Sequence, residues 1–172
     1  MPAPSPTSLI DRVDDTDEPI GVVPRRDVFR EHAGFRVAHV FVFSQAGDLL
    51  IQRVSHERER SPLLLGSSVA AYLFAGEPYA EAARRRLREE LGLTTPLQKL
   101  GSTTMDDGGA RKFIDLFRTT SDEASIADEH HIESLLYLSV QEIQEMLRSE
   151  PEQFTETFPH VFRLYRAIVS TE

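Results

Sequence analysis

AYLFAGEPYAEAARRRLREELGL, residues Ala71 to Leu93, is the stretch whose reading decides the fold. Gly76 and Glu77 precede Pro78, which stands where a first helical residue belongs. From there Tyr79, Ala83, Leu87 and Leu91 recur every four residues, a stripe that buries one helix face, and Gly92 supplies a left-handed stop. The spacing predicts a helix of about fourteen residues. Glu89 and Glu90 sit in its last turn, where the macrodipole disfavours carboxylates by a few tenths of a kcal/mol each. Acids placed there call for a cation. Arg85 and Arg86 each lie four residues before one of these acids, so ion pairs along a solvated face answer that need on charge pattern alone.

The same stretch resembles the Nudix box: Gly, five free positions, Glu, seven free positions, then Arg-Glu-hydrophobic-x-Glu-Glu-x-Gly-hydrophobic. Glu77, Arg85, Leu87, Glu89, Glu90, Gly92 and Leu93 fall on it without a gap. Ala71, preceded by Ala70, replaces the opening Gly, and Arg86 replaces the first Glu of the Arg-Glu pair. The resemblance implies an α/β fold, a Nudix-like α/β/α sandwich with a mixed central sheet. It also implies Mg2+ or Mn2+ held by oxygen ligands, here Glu89 and Glu90, bridging to a diphosphate that water attacks. Glu77 and Arg85 would hold the loop against the helix, Glu89 would serve catalysis as well, and Arg86 would contact phosphate oxygens.

The chain has 172 residues, a length that suits one domain with its own core, expected over Leu9 to Glu172. Its formal net charge of -9 argues against a nucleic-acid polymer or an anionic membrane surface as partner. A small diphosphate held by a local metal or basic cluster remains compatible with that field. The absence of cysteine excludes disulfides, thiolate metal sites and cysteine catalysis. No apolar run reaches the length of a membrane span and no secretory leader pattern opens the chain, so a cytoplasmic protein is expected.

Along the chain, the proline-rich residues Met1 to Ser8 read as a disordered tail. Leu9 to Val13 and Pro19 to Val23 read as a strand pair, Pro24 to His32 as a short helix, and Phe35 to Phe43 as a central strand with Leu49 to Val54 returning beside it. Leu63 to Gly66 and Ser67 to Phe74 flank the loop before the helix. Leu97 to Thr104 and Arg111 to Thr119 form an antiparallel pair about the loop Met105 to Ala110, whose Asp106 and Asp107 read as a solvated tip. A strand near Leu135 to Leu138 leads to Ser139 and Glu142, a capping-box spacing, and Phe158 to Val169 forms a last amphipathic helix. His39, in the central strand, is assigned no role.

The resemblance runs from Leu9 to about Val169 and is strongest to the Nudix branch that looks like isopentenyl diphosphate isomerase. Relatives often carry basic residues near substrate phosphates at the position of Arg53. Many have a Glu that binds metal or activates water where this chain has His131, an imidazole that can act as ligand or base near neutral pH. Isomerases of this kind use a cysteine, so the resemblance leaves two readings. One is a metal-dependent hydrolase of a nucleoside diphosphate linked to another group. The other is a catalytically inactive Nudix-fold module that binds a nucleotide or another diphosphate ligand. Either acts on a small molecule, as a monomer or homodimer, with the N-terminal strand pair available to a second copy.

Overall fold

The alternating, β-branched segment Phe35–Phe43 lies at the centre of the sheet in the computed structural model, which describes residues 5–172. The elements are β1 (Leu9–Val13), β2 (Pro19–Pro24), β3 (Phe35–Phe43), β4 (Leu49–Val54), β5 (Leu65–Gly66), β6 (Val69–Tyr72), α1 (Tyr79–Leu91), β7 (Gln98–Asp107), β8 (Ala110–Thr120), β9 (Ile132–Leu138), α2 (Val140–Ser149) and α3 (Thr157–Val169). β3 runs parallel to β8 over its whole length and antiparallel to β6, which makes the sheet mixed.

Period-two alternation assigns the faces. Ala38, Val40 and Val42 of β3 and Leu50 of β4 join Ala82, Ala83, Leu87 and Leu91 of α1 in one core. Phe41, Leu49, Ile51, Ile114 and Leu116 pack on the other side against Phe158, Val161, Phe162 and Tyr165 of α3. The result is the α/β/α layering expected from the sequence. Ser139 and Glu142 form the expected capping box at α2.

β4 departs from the expected simple hairpin. It pairs with β3 only at Phe43 and Leu49, then diverges to run between β5 and β9. Ser68 stitches the split: its Oγ accepts from the Val42 amide at 2.9 Å and donates to the Leu50 carbonyl at 2.5 Å. Backbone groups that the diverging strands would orphan are thereby satisfied.

The segment Pro24 to His32 does not become the expected helix. Only Arg25–Asp27 form a 3-10 turn, and His32 has a φ of 49°. A helix this short cannot offset its nucleation cost. The acidic tip is corrected too. β7 extends to Asp107 and β8 begins at Ala110, so only Gly108 and Gly109, with φ of 58° and 84°, make the turn. Of the expected tail, Met1 to Pro4 lie outside the described residues. Ser5 to Ser8 form a turn whose Ser8 carbonyl accepts from the Arg25 amide at 2.9 Å.

Candidate functional site

The turn before α1 is shaped by Gly76, whose φ of 77° is a left-handed conformation that favours glycine. Pro78 is the cap rather than the first helical residue, its extended backbone turning the chain into α1. Glu77 folds back so that Oε1 accepts from the Phe74 amide at 3.1 Å. Arg85, two turns along the helix, closes the loop: Nε donates to Glu77 Oε2 at 2.9 Å, and Nη2 donates to Glu77 Oε1 at 2.8 Å and to the Tyr72 carbonyl at 3.0 Å. Its guanidinium carbon lies 4.7 Å from the centre of the Phe74 ring. From outside, the Gly76 amide donates to Asp11 Oδ2 at 2.9 Å, so β1 braces the same loop.

Arg86 lies on the adjacent strip of the helix, 4% exposed and buried beside Glu90, which is 3% exposed. Its Nη1 donates to Glu89 Oε2 at 2.8 Å and its Nη2 to Glu90 Oε1, so one planar fork serves both acids. The other oxygen of Glu90 accepts from Gln52 Nε2 at 3.1 Å. Burial opposes the charge on Arg86, but Glu90 and Glu89 outweigh it and hold the guanidinium above its ordinary pKa. Burial also pushes the Glu90 carboxyl upward, against the pull of Arg86 and Gln52.

This arrangement answers whether the expected metal fits. Among the described residues no three His, Cys, Asp or Glu side chains are gathered to hold a metal ion. The two carboxylates expected as ligands are engaged by a guanidinium instead, so the donor set present does not fit a divalent cation.

More positive charge lies close by. The half-buried Arg58 has its pKa lowered by burial and by the like charges of Arg25 and Arg86, with Glu90 pulling the other way. Among the described residues no carboxylate forms a salt bridge with it. The guanidinium of Arg25 sits 5.2 Å from the Tyr72 ring centre. Arg58 thus feels two other arginines in a chain whose net charge is -9.

Glu77, Arg85, Arg86, Glu89 and Glu90 are brought together as the sequence predicted, although the main partner of Arg85 is Glu77, with Glu89 at 3.6 Å. His131 is near the same charges: burial, Arg58 and Arg86 lower its pKa, while Asp128 Oδ2 lies 2.6 Å from its Nδ1. Arg53 is not part of the group. It shares the β4 face of Leu49 and Ile51, opposite Gln52, and its Nη1 donates to the Leu63 carbonyl at 2.8 Å. Ala70 and Ala71, where the resemblance has glycines, sit in regular β6 without positive φ, and Ala71 belongs to the α1 core.

Gln52, Arg25 and Arg58 escaped the sequence reading. Gln52 was accessible in principle, because alternation along LLIQRV puts it on the Leu50 face toward α1.

A Nudix domain family model matches residues 34–158. The chain is 30% identical over 150 residues to an uncharacterized Nudix hydrolase of Pseudomonas aeruginosa, covering 87% of this chain and 89% of that one. It is 27% identical over 162 residues to the isopentenyl-diphosphate Δ-isomerase of Pectobacterium atrosepticum, with 91% and 90% covered. The crystal structure of DR0079 from Deinococcus radiodurans superposes with a TM-score of 0.80 at 25% identity, over 93% of this chain and 98% of that one. The chain that carries this arginine-filled helix therefore belongs to the Nudix family.

Proposed function

We propose that this protein is a Nudix-fold module that binds a small diphosphate-bearing molecule, with Arg86 as a built-in cation in place of a divalent metal. The observation that carries the reading is the fork of Arg86 on both Glu89 and Glu90, closed on its far side by Gln52. A guanidinium there neutralises charge on the two acids without offering open coordination positions, so it disfavours metal-assisted attack by water and leaves anion binding to the arginines beside it. Arg58 and Arg25 add positive charge beside it, and Arg58 has its pKa lowered by burial and by the like charges of Arg25 and Arg86, which a phosphate oxygen would offset. Calorimetry of inorganic pyrophosphate binding in EDTA tests this. Saturable binding without divalent metal supports the reading, and binding that appears only when Mg2+ is added contradicts it.

One observation favours a second reading, metal-dependent hydrolysis of a nucleoside diphosphate linked to another group. Glu77, Arg85, Glu89 and Glu90 all hold their box positions, and the loop they frame is intact. That activity requires Arg86 to leave both acids, which deprives the buried Glu90 of its charged partner.

A further inference from the structure

The loop after β4, from Ser55 to Leu63, has little regular structure of its own and carries Arg58, whose amide donates to the Ser55 carbonyl at 3.2 Å and whose half-buried guanidinium feels the charges of Glu90 and Arg86. At its base the Ser55 amide donates to the His131 carbonyl at 3.0 Å and the Leu63 amide to the Val54 carbonyl at 2.9 Å. Its first residues make two exposed pairs, His56 with Glu133 at 2.7 Å and Glu57 with His130 at 3.0 Å. Pairs so open to solvent fix a loop weakly.

Its far side is held differently. Arg60 Nη2 donates to Asp107 Oδ1 at 2.8 Å, and the Arg60 guanidinium carbon lies 4.4 Å from the centre of the Phe29 ring. Asp107 is a rigid post. It is 3% exposed at the end of β7, and its other oxygen is 2.6 Å from Lys112 Nζ, which also donates to Thr157 Oγ1 at 2.7 Å. Arg60 thus reaches from a loop to the end of β7 and to the segment after β2. Only one residue separates it from Arg58.

We propose that Arg60 is a positioning residue: by clasping Asp107 and Phe29 it fastens the Ser55 to Leu63 loop so that Arg58 is presented to the bound diphosphate. The inference rests on the proposed anion site and adds the device that preorganises it. Ordering the loop in the free protein spares that cost on binding, so loosening it lowers the binding-competent fraction and weakens apparent affinity in proportion.

The test uses the full chain and inorganic pyrophosphate, comparing Arg60→Gln, Arg60→Lys and Arg58→Ala with the parent. Arg60 is half exposed, so its variants are expected to fold. Hydrogen exchange of residues 56–62 without ligand reads loop order, and calorimetry reads affinity. The expected result is faster exchange and a Kd raised about tenfold in Arg60→Gln, with Arg60→Lys nearer the parent because it keeps a charge for Asp107. An unchanged Kd in Arg60→Gln alongside a raised Kd in Arg58→Ala overturns the clasp. So does a raised Kd with unaltered exchange, which would make Arg60 a direct ligand contact. An Arg58→Ala variant that binds as the parent does overturns the anion site itself, and the clasp with it.

Discussion

Arg86 and Glu90 form a buried ion pair across a single turn of α1, both nearly excluded from solvent and both in contact with a third polar group. Such a pair contributes little net stability relative to apolar neighbours, but losing one member leaves a buried charge. Arg86→Met is expected to cost about 3–5 kcal/mol. The double variant Arg86→Met with Glu90→Met should recover much of that loss. Urea unfolding of the single and double variants checks this, and a single variant within about 1 kcal/mol of the parent contradicts structural dependence on the pair.

Arg85 performs a different task. Its fork fixes both oxygens of Glu77 and a backbone carbonyl, geometry that a lysine ammonium cannot reproduce. Arg85→Lys is expected to lower stability by about 2 kcal/mol and to speed hydrogen exchange at Phe74, whose amide rests on Glu77. Exchange unchanged at Phe74 would show that the loop holds its shape without the fork.

His39 provides a pH signature. It is buried, hydrogen-bonded at 2.8 Å to Ser67 Oγ, and its pKa is pushed down to about 3 by burial and the charge of Lys112. The folded protein thus refuses a proton that the unfolded chain accepts near pH 6.5. Its contribution to stability is full above about pH 6.5 and declines as pH falls toward 3, with a limiting slope of about 1.4 kcal/mol per pH unit. Replacing it by Asn should flatten the stability profile between pH 6 and 4, roughly the window those pKa values define. Parallel profiles for variant and parent, followed by denaturant unfolding, would exclude His39 as the source.

Arg58 should dominate anion affinity. Arg58→Ala is expected to weaken pyrophosphate binding at least about tenfold, the scale of a charge-assisted hydrogen bond, and to reduce its salt dependence. Arg148→Ala, exposed in the last turn of α2, should leave binding unchanged. Titration of the two variants at two salt concentrations separates these positions.

The strongly patterned parts of this chain were legible from the residues alone. The strand Phe35–Phe43, the stripe of α1, its Gly92 stop and the capping box of Ser139 and Glu142 each combine local propensity with a burial pattern that agrees with it. The divergence of β4 was hidden because it depends on Ser68 reaching two strands at once, a long-range contact without periodic signal. The same holds for Asp107. Its neighbours mark it as a turn residue, while Lys112 and Arg60, brought in from β8 and a loop, make it a buried post. Arg25 and Arg58 lie in irregular segments, so only the folded chain reveals that Arg58 feels the charges of both Arg25 and Arg86.

The most direct test of the central claim is calorimetric titration of Mg2+ and Mn2+ into the parent protein and into Arg86→Glu, without phosphate ligands. If Arg86 is the resident cation, the parent takes up neither metal at millimolar concentration. The variant, with acids at positions 86, 89 and 90, should bind at least one of them and gain about 1.4 kcal/mol of stability at a metal concentration ten times its Kd. Millimolar or tighter binding by the parent that disappears in Glu90→Gln would contradict the account and restore the metal-dependent reading of the site.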